Sequence, residues 1–229
     1  MGECTGERPE DRTADRPVDR SAEEWAKGPG QSAPTGPERP ERSERSEWPG
    51  AAIGKYARVE RERRFLLAGA PSPAAVTVAR RITDRYVTGT RLRLRRMERL
   101  DTGECAYKLT QKLPAPPGAG AGAVQGLITN LYLSAEEHAL LLTTLPGPDL
   151  VKTRLSVGPL GVDAFEGALR GLVLAEAEFE SAEDAETFVP PPGCLAELTD
   201  DPRFTGGSLV RTEREQLRNW LAEYGLPLA

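Results

Sequence analysis

The stretch Val59-Glu60-Arg61-Glu62-Arg63-Arg64-Phe65-Leu66 has the alternation of a β-strand, and the interpretation of the whole chain starts from it. Because successive side chains of a strand point to opposite faces, Glu60, Glu62 and Arg64 share one face. A row of two carboxylates and a guanidinium can be a solvated sheet face or the wall of a charged site. The other segments of the chain favour the second interpretation.

Four later segments carry charge at the same period of two. Three are basic at alternate positions and the fourth is acidic: Arg91–Arg95, Tyr107–Lys112, Val151–Leu155 and Ala175–Glu180. Strands of a single sign placed side by side repel unless anions lie between the basic ones and cations between the acidic ones. Closure of the sheet into a barrel would collect these charges inside, and the natural guest is a polyanion with a divalent metal.

Eight segments are predicted as strands, over residues 56–67, 80–87, 91–97, 104–112, 124–133, 150–157, 161–166 and 172–180. The glycine- and proline-rich residues 114–126 are predicted as a hairpin loop. Helices are predicted after the caps at Ser134 and Ser181, and over about residues 208–224 at the C-terminus. Because strands and helices do not alternate as βαβ units, the fold class is α+β, mostly antiparallel and barrel-like.

Residues 1–50 differ in composition from the remainder. They contain seven prolines, 12 acidic and 8 basic residues, and no Leu, Ile or Phe. They cannot bury enough apolar surface to offset chain entropy, so we predict a disordered tail followed by one domain over residues 51–229.

The charge and the cysteines limit the function classes. The tail holds a net charge of −4 of the chain's −5, which leaves the domain nearly neutral and argues against general nucleic-acid binding. A single histidine argues against zinc sites and Ser-His-Asp chemistry. The sequence shows neither a signal peptide nor a membrane span, and its three cysteines are scattered, so we expect a cytoplasmic protein.

From about residue 57 to 209 the sequence resembles the CYTH domain, whose members are also called triphosphate tunnel metalloenzymes. The motifs that carry the resemblance are Glu60-x-Glu62-x-Arg64, Leu109-Thr110-x-Lys112, Lys152-x-Arg154, Asp163-x-Phe165-x-Gly167, Ala175–Phe179 and Glu197–Phe204. The resemblance implies a closed eight-stranded antiparallel barrel with a few peripheral helices. It also implies a metal-dependent triphosphate hydrolase that acts on inorganic tripolyphosphate or a small organic triphosphate.

The resemblance assigns roles to side chains, and their chemistry agrees with those roles. Catalytic residues are Glu60, Glu62 and Arg64. Guanidinium and ammonium groups bind phosphate oxygens, and the triphosphate-binding residues are Arg91, Arg93, Lys108, Lys112, Lys152 and Arg154. The metal ligands are Glu60, Glu62, Glu176 and Glu178, and an all-carboxylate set indicates Mg²⁺ or Mn²⁺ as the cofactor. The expected partner is a small molecule that contains a triphosphate.

Two departures from the family pattern keep other functions open. Arg64 stands where the family usually has lysine, and the fifth strand lacks the family's arginine and alternating glutamates, with Asn130 as the only remnant. One alternative is a class IV-type adenylate cyclase that makes cyclic AMP from ATP. Another is a catalytically weakened protein that binds polyphosphate or a nucleotide without turnover.

Four further residues have two interpretations each. Asp163 is either a charge beside a turn or part of the site. Asp201 and Arg203 either pin the C-terminal segment or contact the ligand, and His138 is either structural or exposed.

Overall fold

The structure is a computed structural model that describes residues 55–115, 123–190, 193–226 and 228. The predicted tail over residues 1–50 lies outside the described residues, as do residues 116–122 of the predicted loop. No helix in the described part of the chain is long and apolar enough to span a membrane.

All eight predicted strands are present, with ends that differ by a few residues. In chain order they are β1 Arg58–Leu67, β2 Val78–Tyr86, β3 Leu92–Arg99, β4 Cys105–Pro114, β5 Val124–Leu133, β6 Asp149–Val157, β7 Leu160–Phe165 and β8 Val173–Glu178. A short ninth strand, β9 at Cys194–Glu197, was not predicted.

The eight strands close into an antiparallel barrel. Their order around it is β1, β8, β7, β6, β2, β3, β4 and β5, and β5 returns to β1. One edge of β1 pairs with β8 from Glu62 to Leu66, while its other edge pairs with β5 over Arg58–Arg61 and with β9 over Phe65–Leu67. The predicted closed eight-stranded barrel is therefore confirmed.

Closure at the β1–β5 seam depends on Gly126, which pairs with Glu60. Its φ of +149° lies in the region that favours glycine, and a Cβ there would lie 2.0 Å from the Leu113 carbonyl oxygen. A side chain at this position would push β4 and β5 apart.

An apolar cluster closes one end of the barrel. The inner faces of several strands become apolar there, with Leu66, Leu150 and Leu174 all nearly fully buried. They pack against Phe204, Leu217 and other residues that follow β9. The inner surface thus changes along the barrel from charged to apolar.

The helices lie outside the barrel or at this end. They are α1 Ala135–Thr144, α2 Ala182–Thr187, α3 Gly206–Leu209 and α4 Arg214–Glu223. Ser134 begins α1 with the predicted capping box, and Ser181 caps α2. His138 of α1 is buried against the Tyr107 ring, with 4.8 Å between the ring centroids. This contact supports a structural role for His138.

The prediction of one C-terminal helix over about 208–224 is wrong. Two helices are present, because the chain turns after Val210 and Glu213 has an extended backbone as the N-cap of α4. Thr212 is buried at this turn and its hydroxyl donates to the Ser208 carbonyl. The turn lets Leu209 of α3 and Leu217 of α4 both reach the apolar cluster.

Candidate active site inside the barrel

Most of the charged residues that alternate along the strands lie on the inner face, and several of them pair with one another. Cross-strand register brings Arg64 opposite Glu176, and Arg154 opposite Asp163. Glu62 and Lys152 are 4% and 6% exposed, so this face is the buried side of the sheet and not a solvated one.

Six of these side chains form a continuous run of alternating charge, which we call the interior ion chain. In order of contact its members are Glu62, Arg64, Glu176, Arg154, Asp163 and Lys152. Arg64 binds Glu62 and lies 3.7 Å from Glu176, while Arg154 bonds both Glu176 and Asp163. The Arg64 Nη1 is buried and has no hydrogen-bond partner in the described part of the chain.

The two glutamates of the interior ion chain have opposite pKa shifts. Burial raises the pKa of Glu62 to about 7, and the nearby Glu176 carboxylate adds to this effect. Burial also disfavours the charged form of Glu176, but the surrounding cations, Arg154 first, hold its pKa well below the usual range. Carboxyl groups whose pKa values are pushed apart in one site are typical of catalytic centres.

Asp163 is a buried anchor and not a charge beside a turn. It has no exposed surface and accepts hydrogen bonds from Lys152 and from both Nε and Nη2 of Arg154. Burial lowers the pKa of Lys152, and the Asp163 carboxylate opposes that shift. Asp163 therefore fixes two of the predicted triphosphate-binding residues in place.

A second buried acid, Asp84, was missed at the sequence level. Asp84 lies opposite Arg95 and accepts two hydrogen bonds from the side-on edge of the Arg95 guanidinium. The Nε–Oδ1 distance is 2.6 Å and the Nη2–Oδ2 distance is 2.7 Å. Arg93 lies close by, with its Nε 3.7 Å from Asp84 Oδ1. Burial would raise the pKa of Asp84, but Arg95 and Arg93 hold it below its usual range.

Lys112, Glu178 and Lys108, which were also predicted as site residues, lie outside the interior ion chain. Lys112 joins the inner face through a 2.6 Å hydrogen bond to Glu60. Glu178 is exposed and lies opposite Glu62. Lys108 places its ammonium 4.9 Å from the centre of the Tyr132 ring.

Arg91 is the predicted residue that the structure does not bring into a strand. β3 begins at Leu92, so Arg91 precedes it and is exposed. A strand begins where its ladder hydrogen bonds begin, which the alternation of charges alone does not reveal.

The inner face of β5 carries no acid, as its sequence indicated. Asn130 accepts a 2.7 Å hydrogen bond from the buried Thr110 hydroxyl, and Ile128 lies opposite Lys112. This side of the barrel has no carboxylate to offer a cation.

The predicted metal ligands are not gathered into a formed site. Across the described residues, no three His, Cys, Asp or Glu side chains converge closely enough to hold a metal ion. The acids are instead paired with bases, Glu60 with Lys112, Glu62 with Arg64 and Glu176 with Arg154.

Comparison with known proteins gives one relative by sequence. The chain is 33% identical over 86 residues to the inorganic triphosphatase of Nitrosomonas europaea, a match that covers 35% of this chain and 56% of the relative. The match thus spans little more than half of that protein. The two are distant homologues. No model of a known protein family matches the chain.

The closed eight-stranded barrel with its charged inner face is the CYTH-like architecture that the sequence resemblance implied. Among solved structures, the chain is similar to the crystal structure of the inorganic triphosphatase NE1496, with 26% identity, coverage of 68% of this chain and 96% of the other, and a TM-score of 0.45. It is also similar to the PH1819 protein of Pyrococcus horikoshii, with 16% identity, coverage of 73% and 90%, and a TM-score of 0.39.

Asp201 and Arg203 pin the C-terminal segment, whose residues pack against one end of the barrel. Arg203 binds Asp201 and reaches Glu223 of α4 at 2.8 Å, and the Tyr224 hydroxyl donates to Asp201 at 3.2 Å. These contacts support the first of the two interpretations of this pair.

Asp84, the tunnel residue that sequence analysis missed, did leave a signal. It shares the period of two with Ile82 and Tyr86, which lie on the same face. An acid between two apolar residues on a buried face needs a buried cation as its partner.

Proposed function

We propose that this protein hydrolyses triphosphates, with inorganic tripolyphosphate or a small organic triphosphate as substrate. The observation that carries the proposal is the interior ion chain, in which phosphate-binding bases pair directly with carboxylates suited to a divalent cation. The distant homology to an inorganic triphosphatase supports it.

Binding of the phosphate chain falls to the buried bases. Arg154 and Lys152 are held by Asp163, and Arg93 lies beside Asp84, so these cations are in place before an anion arrives. Preorganised cations stabilise charge that develops in the transition state without reorganisation at the moment of reaction. Lys112 and Lys108 extend the basic surface on β4.

A divalent cation fits the chemistry of the acids. Glu62 and Glu176 repel each other and share Arg64, and Glu60 and Glu178 stand on the same two strands. These four glutamates would hold Mg²⁺ or Mn²⁺, which prefer carboxylate oxygens. When bound, the ion supplies neutralisation of phosphate charge and orientation of the attacking water.

Arg64 limits what the catalytic strand can do with protons. Arginine remains protonated in proteins, so Arg64 stabilises charge and does not accept a proton from water. Phosphoryl transfer depends mainly on positioning and electrostatics, so this substitution is compatible with turnover.

A binding protein without turnover is the second candidate, and the inner face of β5 favours it. That face presents Ile128 and Asn130 and no carboxylate, so one wall cannot contribute to a cation site. This candidate predicts triphosphate binding that Mg²⁺ hardly changes.

The test is phosphate release from tripolyphosphate, ATP and thiamine triphosphate with Mg²⁺ or Mn²⁺. We expect release by the wild type and its loss in the Glu60→Gln/Glu62→Gln variant. Glu166→Gln is the matched control, because Glu166 pairs with Arg81 on the outside of the barrel at 3.0 Å. Formation of cyclic AMP from ATP would identify a cyclase, and an inert wild type that still binds triphosphate would identify a binding protein.

A further inference from the structure

Asp84 is the buried acid of the tunnel that lies outside every motif of the sequence. It is 1% exposed, and both of its carboxylate oxygens are used by Arg95. This two-bond pair with a single guanidinium distinguishes Asp84 from Glu60, Glu62 and Glu176, which each make one hydrogen bond to their base.

The contact with Asp84 uses one edge of the Arg95 guanidinium. A guanidinium has five N–H donors in a rigid plane, and it can bind one oxyanion side-on through Nε and Nη2 and another through Nη1. Asp84 occupies the side-on edge. Within the described residues no hydrogen bond uses Arg95 Nη1, which leaves donors of the opposite edge for a second anion.

We propose that Asp84 is a positioning residue, which holds Arg95 by one edge so that the opposite edge receives a phosphate group of the triphosphate. Arg93, with its Nε 3.7 Å from the same carboxylate, is kept beside Arg95 by the same charge. This inference rests on the proposed function, because it takes a triphosphate as the guest of the tunnel.

The direction in which the affinity for an anion changes, when the Asp84 carboxylate is removed, distinguishes a positioning role from simple charge balance. Removal of the Asp84 carboxylate makes the tunnel more positive, and that alone strengthens the binding of an anion. Loss of positioning frees the guanidinium to rotate, and it weakens the binding of the same anion.

The experiment measures the affinity of the full chain for inorganic tripolyphosphate by calorimetry, in EDTA and in Mg²⁺. We expect Asp84→Asn to weaken binding by roughly tenfold or more. Asp149→Asn is the control, because Asp149 binds Arg85 through the same side-on edge, at 2.8 and 2.9 Å, on the outer surface. The control variant should bind like the wild type.

A double variant keeps the test decisive if Asp84→Asn fails to fold. Asp84→Asn/Arg95→Met removes both partners of the bidentate pair, so neither of the two is left buried without the other. If Asp84 acts through Arg95, Asp84→Asn no longer weakens binding in the Arg95→Met background, and the double variant binds tripolyphosphate as tightly as Arg95→Met alone or more tightly. In the ligand-free state, the Arg95 Nε–H resonance of the wild type should be sharp, and Asp84→Asn should broaden or shift it.

Unchanged or tighter binding by Asp84→Asn overturns the proposal, as does further weakening of binding by Asp84→Asn in the Arg95→Met background. The proposed hydrolysis fails separately, when the wild type binds tripolyphosphate and releases no phosphate; the role of Asp84 then stands. A wild type that does not bind tripolyphosphate overturns both.

Discussion

Arg154 and Asp163 face each other across β6 and β7 and share two hydrogen bonds, Nε–Oδ1 at 2.7 Å and Nη2–Oδ2 at 2.6 Å. Lys152 donates to the same carboxylate, which has no exposed surface. Removal of this anion would leave the buried Lys152 ammonium without its ion-pair partner and Arg154 with Glu176 alone.

We therefore expect Asp163→Asn to lower the free energy of unfolding by about 3 kcal/mol or more. Urea denaturation measures the change. Asp149→Asn, which breaks an exposed pair with Arg85, should cost less than about 1 kcal/mol. Similar small losses in both variants would show that the buried carboxylate does not anchor the basic wall.

Glu62 gives a pH-dependent prediction. Burial, with the Glu176 carboxylate next, raises the pKa of Glu62 to about 7, above the value of about 4.3 of an unfolded glutamate. The folded state thus binds this proton more tightly, so its stabilising contribution is present at low pH and is lost as the pH rises through 7.

In EDTA, Glu62→Gln should therefore gain stability relative to the wild type as the pH rises from about 4 to about 7, and keep that advantage above pH 7. Urea denaturation at pH 5 and pH 8 checks this, with Glu166→Gln as the variant that should show no such trend. A difference between wild type and Glu62→Gln that is equal at both pH values would contradict the raised pKa.

Mg²⁺ and triphosphate should strengthen each other's binding. In the ligand-free tunnel, Glu60 pairs with Lys112, and Glu176 pairs with Arg154. A phosphate chain that binds the basic side chains breaks these ion pairs and leaves the carboxylates available to a cation. A cation that binds the carboxylates likewise leaves the basic side chains available to phosphate. By linkage the two effects are equal, and we expect a coupling of roughly 5- to 150-fold.

Calorimetry with tripolyphosphate in EDTA and at saturating Mg²⁺ measures this coupling, once the binding of Mg²⁺ to tripolyphosphate in solution is subtracted. Glu60→Gln/Glu62→Gln should remove most of it, and Glu166→Gln should leave it intact. Equal affinity in EDTA and Mg²⁺ would instead favour the binding protein without turnover.

Two neighbouring glycines of α3 test how tightly the end of the tunnel is packed. A Cβ at Gly206 would lie 2.0 Å from the Tyr86 hydroxyl oxygen, whereas one at Gly207 would meet nothing within 4 Å. Tyr86 belongs to the apolar cluster and also interacts with Arg93, so its displacement would disturb the basic wall.

We expect Gly206→Ala to destabilise the protein by about 1–3 kcal/mol and to weaken tripolyphosphate binding. Gly207→Ala should be neutral or slightly stabilising, since alanine favours helix over glycine. Thermal denaturation compares the two variants. Equal melting temperatures would show that Tyr86 moves aside at no cost.

The strands could be predicted because alternation is a local property. The segment around Glu60 has the same period of two as the β3 segment around Arg93, and the eight predicted strands are all present. Strand ends were harder to predict from the sequence, and Arg91 was placed in a strand that begins one residue later. The C-terminal helix was predicted as one piece, because the apolar spacing of Leu209 and Leu217 continues across the turn between α3 and α4.

The ion pairs could not be predicted in the same way. Glu60 and Lys112 are 52 residues apart, and only the register of the closed barrel brings them together. Asp84 was overlooked because its neighbours on the same face, Ile82 and Tyr86, are uncharged, so the alternation of charge that marks the other strands is absent around it. Its partner, Arg95, lies on the next strand and faces it through the register of β2 and β3.

Sequence alone determined which side chains share a face and the sign of the charges along each strand, because these follow from the period of two. The closed eight-stranded barrel was what the resemblance to the CYTH domain implied. Tertiary structure decided which acid neutralises which base, and which charges are buried. Both depend on register between distant strands and on the apolar cluster that seals one end, where Leu66, Leu150 and Leu174 exclude water from the charges beside them. In that low-dielectric setting each buried charge requires a specific partner, and only the folded chain can supply it.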